Sequence, residues 1–308
     1  MRIAITTSSF DVGGSDVIGN LEKRGVEIIV NPYGRRLTSE EAIELLQGVT
    51  GVIAGVEPLT SKVLTACPNL RVISRCGVGL DNVDTDAATR QGILVKTTPE
   101  APAGAVAELT ISLVLALLRR IVEADRIIRA GEWKPLMGRM VSECTVGIIG
   151  YGRVGRRVAE LLTAFGANVL VSDPVVRTTD YKQVSLSDLL DASDVVTLHL
   201  PLSAKTRNLI GRSEISKMKR GALLINASRG GLVDEDALYD ALVSGELGGA
   251  ALDAYASEPY SGLLTTLPQV VLTAHMGSYA LSARRQMETE SAENLVASLQ
   301  ELNLLEEH

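Results

Sequence analysis

The stretch that decides the fold is 145-TVGIIGYGRVGRRVAELLTAFGANVLVSDP-174. Its apolar run Val146–Ile149 has the composition of a buried strand. Gly150, Gly152 and Gly155 follow as G-x-G-x-x-G, and the spacing predicts a helix beginning near Arg153. A second apolar run ends at Asp173, about 20 residues beyond the turn. Each glycine has a task in such a strand–turn–helix–strand unit. Gly150 permits the tight turn, Gly152 lets the backbone approach a pyrophosphate, and Gly155 lets helix and strand pack closely. The unpaired amides at the helix start favour phosphate. A carboxylate at Asp173 would accept hydrogen bonds from ribose hydroxyls and repel a 2′-phosphate, which predicts NAD rather than NADP; the nearby Arg177 points the other way. A glycine turn with no nucleotide is the plainer alternative.

Working outward, the chain has 308 residues, enough for one large or two medium domains. Aromatic residues make up only 3%, so its cores must be built from Val, Ile, Leu and Ala, as those of buried parallel strands are. A net charge of −7 leaves no basic footprint for nucleic acid. Cys67, Cys76 and Cys144 are scattered, without zinc spacing or a disulfide framework, so no metal is expected and a cytoplasmic setting is. The opening MRIAITTSSF reads as a strand and not as a signal peptide. The most apolar stretch, Ile111–Leu118, lies between Glu108 and Arg119 and falls short of the roughly 20 residues a bilayer needs, so no membrane is expected.

Strand and helix patterns alternate along the first hundred residues. Strands are expected at Arg2–Thr7, Val26–Val30, Val52–Gly55, Arg71–Arg75 and Ile93–Lys96. Helices are expected at Ser15–Arg24, Thr38–Gln47, Ser61–Ala66 and Thr85–Gln91, the second opened by a capping box of Thr38 and Glu41. One long helix should then run from Pro102 to Ala130, followed by a polar loop, 131-GEWKPLMGRMVSE-143. A second series follows, with strands at Cys144–Ile149, Asn168–Ser172, Val195–Leu198, Ala222–Asn226, Gly249–Leu252 and Val270–Leu272. An amphipathic helix, Leu281–Leu299, closes the chain. The pattern predicts an α/β protein of two doubly wound parallel-sheet lobes, with a ligand in the cleft.

Hydride exchange between a nicotinamide and an alcohol carbon also needs a base for the hydroxyl proton, and histidine suits it. The chain has three: His199, His275 and His308. His308 is terminal, and His199 reads first as structural or cofactor-adjacent. His275, in VVLTAHMGS, follows a strand directly, at the sheet edge where open α/β folds bind ligands. Glu258, in ALDAYASEP, lies beyond another strand end, where a carboxylate could fix the imidazole tautomer. Arg229, in LLINASRGG, follows a third strand, and a guanidinium fork matches a substrate carboxylate. Taken singly, each is an ordinary loop residue; three strand ends carrying Arg, Glu and His are harder to dismiss.

These residues sit in RCGVGLDNVD (75–84), VAEL (106–109), GIIGYGRVG (147–155), LHLPLSAKTRNLI (198–210), INASRGGLVDEDAL (225–238), ALDAYASEP (251–259) and TAHMGS (273–278). As a set they resemble the D-2-hydroxyacid dehydrogenases, and more closely the 3-phosphoglycerate dehydrogenase branch, over nearly the whole chain. The resemblance implies a flavodoxin-like substrate lobe, residues 1–97 plus 281–308, around a Rossmann NAD lobe, residues 98–280. It implies Arg229, Glu258 and His275 as the catalytic three. Cofactor contacts would come from Gly150, Gly152, Arg153, Val154, Gly155, Asp173, His199, Pro201, Thr206, Ala227, Ser228, Asp253 and Gly277. Val56, Cys76, Gly77, Val78 and Gly79 would face a small anionic 2-hydroxy or 2-oxo acid, with the amides of Val78 and Gly79 on its carboxylate. The resemblance also implies a homodimer through the NAD lobe, using the long helix and the 131–143 loop.

Departures concentrate on the substrate side. Pro102 stands where many relatives have Asn, and Glu57 lies where many place an arginine for a substrate phosphate. Arg35 and Arg36 could supply cations instead. The regulatory domain of the longer serine-pathway enzymes is not expected. The favoured substrate is 3-phosphoglycerate. The alternatives are reduction of hydroxypyruvate, glyoxylate or another small 2-oxo acid, and a catalytically silent NAD-sensing binding protein.

Overall fold

Apolar runs bounded by turn residues become parallel strands, and the segments between them become helices laid on the sheets. The computed structural model describes residues 1–8 and 10–306, so His308 lies outside the described residues. It divides into two units, Met1–Pro102 with Ala280–His308, and Ala103–Tyr279.

The first unit runs β1 (Arg2–Ile5), α1 (Asp16–Lys23), β2 (Glu27–Val30), α2 (Ser39–Leu45), β3 (Gly51–Ala54), α3 (Ser61–Ala66), β4 (Val72–Arg75), α4 (Thr85–Arg90) and β5 (Leu94–Lys96). Its five parallel strands are ordered β2-β1-β3-β4-β5, so the winding reverses between β1 and β3. The capping box at Thr38 and Glu41 is formed.

The second unit takes nearly all of α5 (Ala101–Leu118), then α6 (Ile121–Arg129), β6 (Thr145–Ile149), α7 (Arg153–Ala164), β7 (Asn168–Ser172), β8 (Lys182–Gln183) and α8 (Leu186–Ala192). It continues with β9 (Val195–Leu198), α9 (Arg212–Ile215), β10 (Ala222–Asn226), α10 (Glu235–Val243), β11 (Leu247–Leu252) and β12 (Val270–Leu272). The order β12-β11-β10-β9-β6-β7-β8 is parallel throughout and reverses between β6 and β9. The chain then returns to the first unit as α11 (Leu281–Glu301), which buries Ala283, Met287, Ala292, Leu295 and Leu299. Gly51 in β3 makes room for it, because a Cβ there would meet the Leu295 side chain.

Three expectations need correction. The helix expected over 102–130 is two helices, broken where Arg120 turns left-handed at φ 53°. The cause is distant in sequence: Gly138 packs on the Leu118 carbonyl, which accepts from the Arg139 amide at 2.9 Å. Arg120 then pairs with Glu123 at the start of α6. The 131–143 loop is not polar in outline, since Trp133 is 90% and Met137 88% exposed. Finally, α5 as a whole is long and apolar enough to cross a membrane by length and composition, which Ile111–Leu118 alone is not. Its Ala107, Ile111, Leu113, Val114 and Leu118 are buried in the core of the second unit.

Candidate active site

The glycine turn lies where the second sheet reverses. Gly150, at φ 95°, donates its amide to Ser172 O at 2.9 Å, and a Cβ on it would run into the His199 carbonyl. Gly155 packs so closely that a Cβ would overlap the Gly150 carbonyl. Both glycines are therefore required by packing. Gly152 is not: it is the N-cap of α7 at φ −77°, no side chain caps the helix there, and nothing lies within 4 Å of where its Cβ would stand. The open space and the uncapped amides are what a pyrophosphate needs.

Asp173 closes the far side of this turn. Its Oδ2 accepts from the Tyr151 amide at 2.7 Å, and its Oδ1 from the amides of Val175 and Val176 at 2.8 Å. Burial pushes its pKa up, but those three amides and the nearby Arg177 outweigh burial and hold it below the usual carboxylate value. Oδ2 keeps room for a further donor. Beside the turn, Nε2 of His199 lies 3.0 Å from Thr197 Oγ1, and burial drives its pKa down to about 3, so the ring is neutral. Thr206 braces the following loop, donating to Pro201 O at 2.8 Å and accepting from the Ser203 amide. Val154 packs on the core, and Ala227 is buried.

Arg229, Glu258 and His275 follow β10, β11 and β12, adjacent strands whose C-terminal ends share one sheet edge. His275 Nδ1 meets both Glu258 oxygens, at 2.9 and 3.0 Å. A carboxylate only accepts, so Nδ1 carries the proton and Nε2 is left as the basic nitrogen. His275 itself is left-handed, at φ 50°, an unfavourable backbone state for a side-chain-bearing residue. Asp253 holds it there, its buried carboxylate accepting from Thr273 Oγ1 at 2.6 Å and from the Met276 and Gly277 amides at 2.8 Å. Glu258 Oε1 accepts from the Tyr255 amide at 3.1 Å, and the Tyr255 hydroxyl reaches the Thr273 carbonyl at 2.8 Å, tying the two turns together. Asn226 braces the third turn: its Nδ2 donates to Arg229 O at 2.7 Å and its Oδ1 accepts from Ser228 Oγ at 2.9 Å.

The family model for the NAD-binding domain of D-isomer specific 2-hydroxyacid dehydrogenases matches residues 111–277, more than half of the chain. The chain belongs to the D-2-hydroxyacid dehydrogenase family. It is 36% identical to a hydroxypyruvate reductase of Thermotoga maritima, over 91% of this chain and 96% of the relative. A D-3-phosphoglycerate dehydrogenase of Methanocaldococcus jannaschii is 39% identical over 91% of this chain but only 55% of its own length, so the dehydrogenase spans about half of that relative. Among solved structures, the TT0316 protein of Thermus thermophilus superposes with a TM-score of 0.90 at 36% identity, covering 98% of this chain and 97% of the other. The dehydrogenase is an NAD-dependent enzyme acting on CH–OH groups, and the Gly152 opening and Asp173 fit that cofactor.

Its first unit carries the residues expected to face substrate. Val56 is 51% exposed after β3, and Val78 is exposed after β4. Gly77, at φ 148°, lies against the Arg75 guanidinium, and Cys76 beside it is buried, with its thiol pushed up by burial. Glu57 does not face outward as its charge suggests; it is 1% exposed. Arg35 is engaged by Glu41 at 2.7 Å. No group of metal-binding side chains occurs among the described residues. Sequence reading missed Asn226 and Tyr255 as braces of the site. A clue was available for Asn226, three residues before Arg229 at a strand end, where Asn favours side-chain-to-backbone turns.

Proposed function

We propose that the dehydrogenase reduces a small, unphosphorylated 2-oxo acid of the hydroxypyruvate or glyoxylate class to its D-2-hydroxy acid. One observation carries this choice over 3-phosphoglycerate. The loop after β3 shows Val56 to solvent and turns Glu57 inward, so it presents an apolar side chain and no cation for a phosphate. Arg35, a candidate replacement, is already paired with Glu41. The hydroxypyruvate reductase relative is matched over 96% of its length, which favours the same reading.

When bound, the reduced cofactor supplies hydride to the 2-oxo carbon. The chain's part is binding and proton transfer. Arg229 binds the acid and polarises its carbonyl, as does an electrostatic clamp on developing charge. His275, protonated at Nε2, gives its proton to the carbonyl oxygen and takes it back in the reverse direction. Glu258 holds the ring and stabilises its cationic form. The amides of Val78 and Gly79 hold the carboxylate, with Val56 and Gly77 beside them; Cys76, expected to face the acid, is instead packed in the core behind them, against α11. Asp173 takes the ribose hydroxyls, and Gly150, Gly152, Arg153, Val154 and Gly155 surround the pyrophosphate. Ala227, Ser228 and Gly277 would complete the cofactor's contacts, with His199, Pro201 and Thr206 beside the turn and Asp253 holding the Gly277 turn in place.

The test is turnover of purified protein with NADH and a panel of oxo acids, followed at 340 nm. Hydroxypyruvate or glyoxylate should give the highest kcat/KM. Phosphohydroxypyruvate tenfold ahead of both would restore 3-phosphoglycerate as the substrate. The observation favouring that second reading is Arg36, an exposed guanidinium on the loop after β2. A protein that binds NADH but reduces nothing would be a sensor.

The working form is a cytoplasmic homodimer joined through the NAD-binding unit. An unpartnered apolar crest supports it: Ile121, Ile128, Trp133, Met137 and Met140 are all exposed around α6 and the segment after it. Sedimentation should show a dimer that Trp133→Glu weakens.

A further inference from the structure

Thr6 and Gly55 follow β1 and β3, the two strands between which the first sheet reverses its winding. Open α/β sheets bind ligands at that point. There Glu57 is 1% exposed, although a free carboxyl belongs in water. Its Oε1 accepts from Thr6 Oγ1 and from the Gly55 amide at 3.2 Å. The Gly55 amide also reaches Thr6 Oγ1 at 3.4 Å, and Ile53 O lies 3.1 Å from that hydroxyl, whose single proton goes to Glu57. The side chain therefore ties its own loop to the end of β1 and fills the space behind it.

The same loop is tied forward to the loop after β4. Asn82 Nδ2 donates to Glu57 O at 2.6 Å and to Gly55 O at 3.4 Å. The Leu59 amide donates to Asn82 O at 2.8 Å, and the Asp84 amide to Leu59 O at 2.9 Å. Pro58 stiffens the short link between these anchors. Val56 stands between them, facing solvent. Gly77 O is fixed in turn by the Thr98 amide at 3.0 Å.

We propose that Glu57 is a positioning residue for substrate recognition: its buried side chain latches the β3 loop, and Asn82 passes that latch to the loop bearing Gly77, Val78 and Gly79. The inference rests on the reading that these loops hold the 2-oxo acid. A leucine would fill the cavity without burying a carboxyl, but it could not receive the Thr6 hydroxyl and the Gly55 amide, which set the loop's direction. The latch fixes where Val56 stands, and so the size of acid admitted, without touching the acid.

The experiment compares the full-length protein with Glu57→Ala, Glu57→Gln and Asn82→Ser. Hydrogen–deuterium exchange is read over residues 53–59 and 76–84. Oxalate, an inert analogue of a 2-oxo acid, is titrated in the presence of NADH. KM and kcat for the best substrate and the Kd for NADH are measured alongside. Glu57→Ala and Asn82→Ser should speed exchange in both segments together. They should raise KM and the oxalate Kd about tenfold, the factor that about 1.4 kcal/mol of lost hydrogen bonding corresponds to, with NADH affinity and kcat within twofold of wild type. Glu57→Gln keeps the shape and the Oε1 acceptor and should recover to within about threefold. Exchange unchanged in both variants overturns the latch. So does faster exchange with KM and oxalate Kd unmoved, or a loss of NADH affinity in step with KM. A wild type that is inactive on every acid and does not bind oxalate overturns the functional reading and this inference with it, an outcome distinct from active wild type with indifferent variants.

Discussion

Replacing Gly152 by alanine separates what the glycine turn does for the fold from what it does for the cofactor. The backbone at Gly152 has φ −77° and ψ −158°, which any residue adopts, and nothing lies within 4 Å of the added Cβ. Removing a glycine stiffens the unfolded chain and stabilises by about 0.4–1 kcal/mol. Alanine is a poorer N-cap than glycine by a comparable amount, about 0.5–1 kcal/mol. The two offset, so the cofactor-free protein should melt within about 3 °C of wild type. Binding has no such compensation. The methyl occupies the approach to the free amides of α7, and losing a charge-assisted hydrogen bond to phosphate costs about 1.5–3 kcal/mol. NADH should bind roughly 10- to 150-fold more weakly. Fluorescence titration with NADH and a thermal melt of the cofactor-free protein read both quantities. Gly155→Ala is the control, because its Cβ would overlap the Gly150 carbonyl, and it should lower the melting temperature before any ligand is added. An NADH Kd for Gly152→Ala within threefold of wild type would refute the reasoning, as would a melting temperature that falls as far as that of Gly155→Ala.

Three further outcomes follow from the geometry. His275→Ala should lower kcat by roughly two to four orders of magnitude while NADH titrates normally; equal losses of both would mean that the left-handed turn and not the imidazole had been lost. Asp173→Asn can keep the Val175 and Val176 amide contacts on its one oxygen, loses the Tyr151 contact because its NH2 cannot accept, and removes the charge, so the preference for NADH over NADPH, read as a ratio of kcat/KM values, should shrink about tenfold or more; an unchanged ratio would remove Asp173 from cofactor choice. Burial lowers the folded-state pKa of His199 to about 3, below its unfolded value near 6.5, so the unfolded chain binds the proton first. Stability from this group is complete above about pH 6.5 and drains as pH falls towards the folded value, by at most about 1.4 kcal/mol per pH unit, or about 2 kcal/mol between pH 8 and pH 5. His199 retains some exposure, which trims that figure. Urea melts of His199→Asn should lose this acid slope, and an identical slope in both proteins would contradict the assignment.

Much of the fold is legible in local pattern. Ser61–Ala66, Asn168–Ser172, Val195–Leu198, Ala222–Asn226 and Val270–Leu272 form where the sequence places them, because each is a short run bounded by residues that cannot continue it. The break at Arg120 is not legible, since no Gly or Pro marks it and its cause arrives from Gly138 and Arg139. The glycine turn can be read because it needs particular residues at particular spacings. Asp253 reads as a cofactor contact, yet its acceptors are largely taken by Thr273, Met276 and Gly277, partners some twenty positions away. Glu57 defeats sequence reading differently. An acid in a loop suggests solvent, and only the fold brings Thr6 to join the local Gly55 amide in satisfying it.

The return of α11 to the first unit gives the protein an order of assembly. Residues 103–279 form the second unit in one continuous run, so they hold everything it needs before α11 is made. The first sheet, although its five strands are made earliest, keeps the face beneath Leu295 and Leu299 uncovered until α11 has left the ribosome. During that interval Ile3, Ile5, Ile53 and Val72 are an unclosed apolar surface on a nascent chain. A stop codon placed just before Leu281 would make this condition permanent: a product able to bind NADH through an intact second unit, yet prone to aggregate through its first.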